Sequence, residues 1–548
     1  MVMEEAHANT RRLNVEGRIF GLAPMRVQEY MYGHRIYNEQ VPYMIVLEAL
    51  TVCASKPLGS ILVSSESHET IEYYLPRREK LRFLLFQDRL LEQIISDTKI
   101  PRPNKWNCWK KSVNEQYQSS NESLDAFAYL NEVFPKDNDR LHNLHQAVKL
   151  LKSMELDIIN NRRWTSRFLS VSGPDMILPD YGIKGNNWSY DRRFFARGGE
   201  LIYLMLNRSS HVKRVKKLID ETFLNKDDQI NKIARKLSGQ LEDKKNDLTS
   251  NNKRKPSDSQ DNNCSKTTIG YLPYHHHESY DLIASDWCNI LESQLPKRLL
   301  FEPLFRITGI NLLGYLIART KAIRGVKEPT YLIVDLTDGE NRKIREAAKT
   351  NFNQHRFEAQ DAVKRYIENI LSENDRWKSA LENNNIGAAK QEIRDCFFDP
   401  KDYPKELEEN PQSVEKIKDD FVNLANKRSR NNINDYLLPL SRNSGLVTTR
   451  QGIGPWFAID DKLLVALVLA SVDEAVELQD FLACLHKKYG LIIGPVEARK
   501  AFGEIRTEAY NTNLVALEKR LTQLSLTKRL SDDCAFVMNP YTPKKEYD

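Results

Sequence analysis

The densest group of side chains able to do chemistry is His275-His276-His277, with Glu278 and Asp281 close behind. Imidazole and carboxylate together could hold zinc or iron. Three consecutive residues, however, cannot all aim at one ion from a helix or a strand. The expectation is an exposed polar loop. His142 and His145, at i and i+3 on a helix, lack a third ligand and read as a solvated helix face.

Asp335 ends the short β-branched run Tyr331-Leu332-Ile333-Val334-Asp335. A paired-carboxylate nuclease places its first acid there and an acid-x-lysine on the next strand, to hold a divalent cation and activate water. No such Glu-x-Lys follows; Asp338, Glu340 and Lys343 stand at loop spacing. Pro174-Asp175 and Pro179-Asp180 read as turns. Gly452-Ile453-Gly454 does not continue as a dinucleotide fingerprint, and neither a phosphate-binding G-x-x-x-x-G-K nor a G-x-S-x-G elbow occurs. The sequence therefore assigns no catalytic residue, no metal ligand and no cofactor.

Nucleic-acid contact is the better-supported chemistry. Lys105, Lys110 and Lys111, with Arg102, interleave with Trp106 and Trp109, so charge would meet phosphate while indole stacks on bases. Arg208, Lys213, Arg214, Lys216 and Lys217 form a second basic stretch, read as a solvated helix. Near the C-terminus, a helix opened by Pro495 carries Arg499 and Lys500, with Arg506 just beyond, and a ribbon adds Lys528 and Arg529. A recognition helix presents its early residues to the major groove while a wing tracks the backbone. Glu497, Glu504 and Glu508 oppose that reading unless they point inward.

The elements that must position these groups are mostly helices. In the last eighty residues, Leu463 to Ala470 reads as a buried helix. Leu478, Phe481, Leu482, Leu485 and Tyr489 give a second with 3.6-residue spacing, closed by Gly490. Pro495 opens a third, Leu514 to Leu524 marks a fourth, and Leu526 to Leu530 with Cys534 to Met538 flank the turn Ser531-Asp532-Asp533. That is the order of a winged helix. Upstream, buried helices are expected from Pro42, through Leu81 to Ile95, through Leu124 to Leu130, through Leu141 to Leu151, at Leu201 to Leu206 and at Phe301 to Ile317. Residues 97–120 break the periodicity, Ser172 to Trp188 reads as a Gly/Pro/Asp-rich loop, and 374–433 is charged, Asn-rich and weakly periodic.

The 548 residues, 41% hydrophobic, imply several domains. The expected division is 1–242, a mainly helical N-terminal region; 243–263, a flexible polar linker or insertion; 264–440, helical with a short strand near 331–335; and 441–548, the winged-helix-like module. The fold class is mainly α, multi-domain, with minor β elements. A net charge of +6 from 81 basic and 75 acidic residues permits nucleic-acid contact without demanding it. Seven scattered cysteines without a CxxC pair fit reduced thiols, and the longest apolar run, near Leu463, is about half the roughly twenty residues a bilayer needs. A cytoplasmic location with no membrane partner is expected.

The functional expectation is a non-catalytic, DNA-associated or scaffolding subunit of a multi-protein bacterial system. Asn/Lys-rich composition points to an AT-rich gene of the mobile-island kind, which makes antiviral (anti-phage) defence the expected setting. Its partners would be other subunits, a helicase or nuclease among them, together with DNA. The alternatives are a metal-dependent nuclease without a recognisable motif and a pure protein–protein adaptor.

Overall fold

The computed structural model describes residues 27–33, 36, 41–54, 71–73, 88–116, 139–152, 173–174, 181–184, 187–190, 198–238, 267–269, 272, 274, 276–398, 413–429, 436–503, 507–531 and 534–542. It is mainly helical. Expectations for Leu81 to Phe86, Leu124 to Leu130, 243–263 and Arg506 fall outside these residues.

The N-terminal half supplies α1 (Val27–Tyr32), α2 (Pro42–Cys53), α3 (Asp88–Ser96), α4 (Arg102–Gln116), α5 (Arg140–Lys152), α6 (Gly198–Asn207), α7 (Val212–Thr222) and α8 (Gln229–Ser238). Three small strands accompany them, β1 (Ile71–Tyr73), β2 (Tyr181–Lys184) and β3 (Asn187–Tyr190), and β4 (Thr267–Ile269) pairs antiparallel with β1. Pro42 opens α2 because a first-turn N–H needs no partner and the ring presets the helical φ. Every residue of α2 is buried. Gly199 lets α6 lie directly on α2, since a Cβ there would come within 2.4 Å of the Glu48 Cβ. The buried Glu48 then accepts the Gly199 N–H at 2.7 Å, placing a negative charge where the helix dipole is positive.

Two stretches differ from the sequence expectation. Residues 102–116 form a helix despite Pro101 and Pro103, because Pro103 sits in the first turn, where a proline displaces no intrahelical bond. The Ser172 to Trp188 loop contains most of the β2–β3 hairpin, whose pairing runs Tyr181↔Tyr190 to Lys184↔Asn187. Its alternation was hidden by the flanking glycines and prolines.

Next come α9 (Glu278–Glu292) and α10 (Lys297–Ile323). Buried on most of its circumference, α10 is the axis of the core and packs against α2 and α9. Its length and composition alone would allow it to cross a bilayer, but 83% of its most apolar window is buried within the protein. Strand β5 (Leu332–Ile333) leads to α11 (Arg342–Ser372), followed by α12 (Asp375–Glu382), α13 (Ile386–Phe397) and α14 (Val414–Ser429). The last three lie in the charged, Asn-rich segment. Side-chain caps start them: Asn374 Oδ1 accepts the Arg376 and Trp377 N–H groups, Asn385 Oδ1 accepts that of Ala388, and Ser413 Oγ accepts that of Lys416. A few apolar anchors then suffice, with Phe397 and Phe421 rings 4.9 Å apart.

The C-terminal part runs α15 (Leu437–Ser444), β6 (Val447–Arg450), β7 (Gly454–Phe457), α16 (Asp461–Ser471), β8 (Val476–Glu477), α17 (Leu478–Tyr489), β9 (Leu491–Ile492), α18 (Pro495–Phe502), α19 (Glu508–Gln523), β10 (Thr527–Ser531) and β11 (Cys534–Val537). Strands β6 and β7 pair as an antiparallel hairpin ahead of the terminal helices, Val447↔Phe457 to Arg450↔Gly454. Gly309 of α10 permits the approach of α15, because a Cβ would collide with Ser444 Oγ at 1.9 Å. Strands β10, β11 and β8 make an antiparallel sheet in that order. Strand β9 instead pairs in parallel with β5, Leu332↔Leu491 and Ile333↔Ile492. A continuous apolar core runs from α1 through α10 to β11, and Ile344, Ile492, Ala498 and Tyr510 form a smaller cluster.

Candidate nucleic-acid interface

Asp335, the acid a nuclease reading would use, lies just past β5 and is 1% exposed. Its Oδ1 accepts the Thr337 N–H at 2.8 Å and the Thr337 hydroxyl at 2.7 Å; its Oδ2 accepts the Trp456 indole N–H at 3.0 Å. Both oxygens are thus engaged by the chain itself, and the carboxylate clamps the β5–α11 loop to β7. Asn513 of α19 completes the clamp, accepting from Leu336 N and donating to the carbonyls of Val334 and Ile493.

His277 is buried, its ring stacked on Tyr274 with centroids 5.0 Å apart. Its Nδ1 accepts the Ser279 N–H and caps α9. Burial, followed by the charges of Arg319 and His276, lowers its imidazole to about 4, so it is neutral at neutral pH. His276 faces Asp281 at 3.2 Å, and His275 is outside the described residues. His145 is not on a solvated face: it is buried, with Nε2 3.6 Å from Glu92. Among the described residues no three His, Cys, Asp or Glu side chains are grouped to hold a metal ion.

The basic groups fall into three settings. In α4, which packs against α3 and α5, Trp106 and Trp109 are 8% and 3% exposed. Their rings lie 5.4 Å apart, and the Arg140 guanidinium sits 4.1 Å from the Trp106 ring centre. The indoles are therefore core groups rather than an open stacking surface, a correction to the sequence expectation. Helical spacing explains it: positions 106 and 109 share the face turned to α3 and α5. Lys105 donates to the Ile95 carbonyl, Lys110 is half-buried and Lys111 is exposed. The stretch on α7 is neutralised locally, with Arg214 on Glu292, Lys216 on Asp220 and Lys217 on Glu221. It is a solvated helix, as its composition indicates.

The third setting is α18. Arg499 and Lys500 are exposed and have no acidic partner among the described residues. Glu497 does point inward: it is 1% exposed and folds back beside Gly494, the residue before the helix, where a Cβ would meet its Oε2 at 2.8 Å. Glu508 is exposed at the start of α19. Lys528 is exposed on β10, and Arg529 pairs in register with Ala535. Between α18 and the ribbon stands α19, a longer helix than the one expected to carry the basic residues. Its exposed positions, Glu508, Asn511, Thr512, Val515, Lys519, Thr522 and Gln523, carry one acid and one base, and Val515 is 64% exposed.

Two further basic residues, one of them the Lys343 weighed beside Asp335, carry no nucleic-acid expectation in the sequence. Arg342 and Lys343 open α11, are exposed, and have no acidic partner among the described residues. The signal was available in Asn341, whose side chain caps the helix, followed by two cations with no acid in the first turn. No protein-family model, no curated protein and no solved structure matches this chain.

Proposed function

We propose that the protein is a non-catalytic, DNA-associated subunit of a multi-protein assembly, and that its C-terminal region acts as a winged-helix-like docking module. The observation that carries this reading is the pair Arg499 and Lys500, exposed and unneutralised on α18 while Glu497 turns inward. The strand order β10-β11-β8, with the ribbon following a helix, supports it, because a wing of that form can track a phosphate backbone. The balanced outer face of α19, with its bare Val515, suits a partner protein better than phosphate. Antiviral defence is the setting that composition suggests.

The test is anisotropy of a labelled duplex titrated with the full chain between about 50 and 200 mM salt. Salt-sensitive binding is expected, and Arg499→Ala with Lys500→Ala should flatten the log–log salt slope by about two. Absence of salt-sensitive binding would leave the adaptor reading in its place. Duplex cleavage in Mg²⁺ abolished by Asp335→Ala would replace it with a nuclease.

A further inference from the structure

We propose that the cationic surface of α18 continues onto the first turn of α11, and that the two helices together follow one nucleic-acid phosphate backbone. This rests on the reading just given and extends it to a second, sequence-distant element. Strands β5 and β9 pair in parallel, and each is followed by one of these helices, so both helices start from the same end of the strand pair. Ile344 of α11 and Ala498 of α18 meet in a small apolar cluster with Ile492 and Tyr510. Arg342 and Lys343 directly precede Ile344; Arg499 and Lys500 directly follow Ala498. Two exposed basic pairs from positions over 150 residues apart are thereby held about one apolar seam.

Arg342 and Lys343 occupy the positive end of a 31-residue helix, where cations are disfavoured unless an anion is near. Among the described residues none of the four cations pairs with an acid: Glu340 and Glu508 are exposed, Asp338 lies 3.5 Å from Arg520, Glu346 lies 3.5 Å from Arg345, and Glu497 is buried. Four cations spread over two helices suit a repeating polyanion, since each phosphate neutralised by a Lys or Arg releases condensed counterions.

The experiment compares the full chain with Arg342→Ala/Lys343→Ala, Arg499→Ala/Lys500→Ala and the quadruple variant, by duplex anisotropy across salt. Each double variant should flatten the log–log slope by about two, and the quadruple by about four. Unchanged thermal midpoints would confirm that folding is intact. If Arg342→Ala/Lys343→Ala leaves the slope unchanged while Arg499→Ala/Lys500→Ala flattens it, the extension to α11 is wrong and the α18 reading stands. If the unaltered protein shows no salt-sensitive binding to duplex, or binds only anionic phospholipid vesicles, both are wrong.

Discussion

Asp286 and Asp335 are both fully buried aspartates at junctions between distant segments, yet the protein satisfies them differently. Asp286, on α9, accepts from Lys488 Nζ at 3.0 Å, Tyr489 OH at 2.8 Å and Asn311 Nδ2 at 2.8 Å. Burial raises its carboxyl pKa, and the charge of Lys488 with the three hydrogen bonds opposes the rise. Among the described residues Asp335 has no cationic partner and is held by three neutral donors. The first is a charge pair whose halves depend on each other; the second is a hydrogen-bonded clamp whose donors are separately replaceable. Removing one partner should therefore cost far more at Asp286 than at Asp335.

The sharpest break is Lys488→Met, which strands a buried carboxylate. A loss of about 3–5 kcal/mol is expected in urea unfolding followed by circular dichroism. Combining it with Asp286→Asn should recover much of that loss, and no recovery would mean that Lys488 acts through packing. Next comes acid. The His277 imidazole lies below its ordinary value, so the unfolded chain takes up the proton first as pH falls. The native state should lose about 3 kcal/mol between pH 6.5 and about 4, and His277→Asn, which keeps an N-cap acceptor, should flatten unfolding-midpoint profiles in that window.

Trp456→Phe removes a single neutral donor from Asp335 and should cost about 1–3 kcal/mol, detectable as a lower midpoint. A loss equal to that of Lys488→Met would erase the distinction between charge pair and clamp. Smallest of all, Arg342→Ala with Lys343→Ala should shift stability by no more than about 0.5 kcal/mol, since both side chains are exposed and neither is paired among the described residues.

Much of the architecture was legible in local pattern. Gly490 ends α17 in the left-handed conformation, Pro495 begins α18, and the ribbon flanks Ser531 to Asp533 as its alternation indicates. What resisted reading has common causes. Trp106 and Trp109 look alike whether a helix face meets solvent or a neighbouring helix, because composition carries no information about what lies opposite. Helices α12 and α13 were obscured because Asn374 and Asn385 act as caps, a role that depends on position within a turn.

The amino-acid sequence by itself determined a mainly helical chain, the location of its C-terminal helices and ribbon, and the presence of Arg499 and Lys500 on one of those helices. Only the tertiary structure decided that Asp335 is a clamp, that Glu497 turns away from its basic neighbours, and that Arg342 and Lys343 sit across an apolar seam from them. Helix and turn signals act over a few residues, so local sequence carries them. The pairing of β5 with β9 joins positions some 159 residues apart in register, and no local pattern encodes which buried strand will find which.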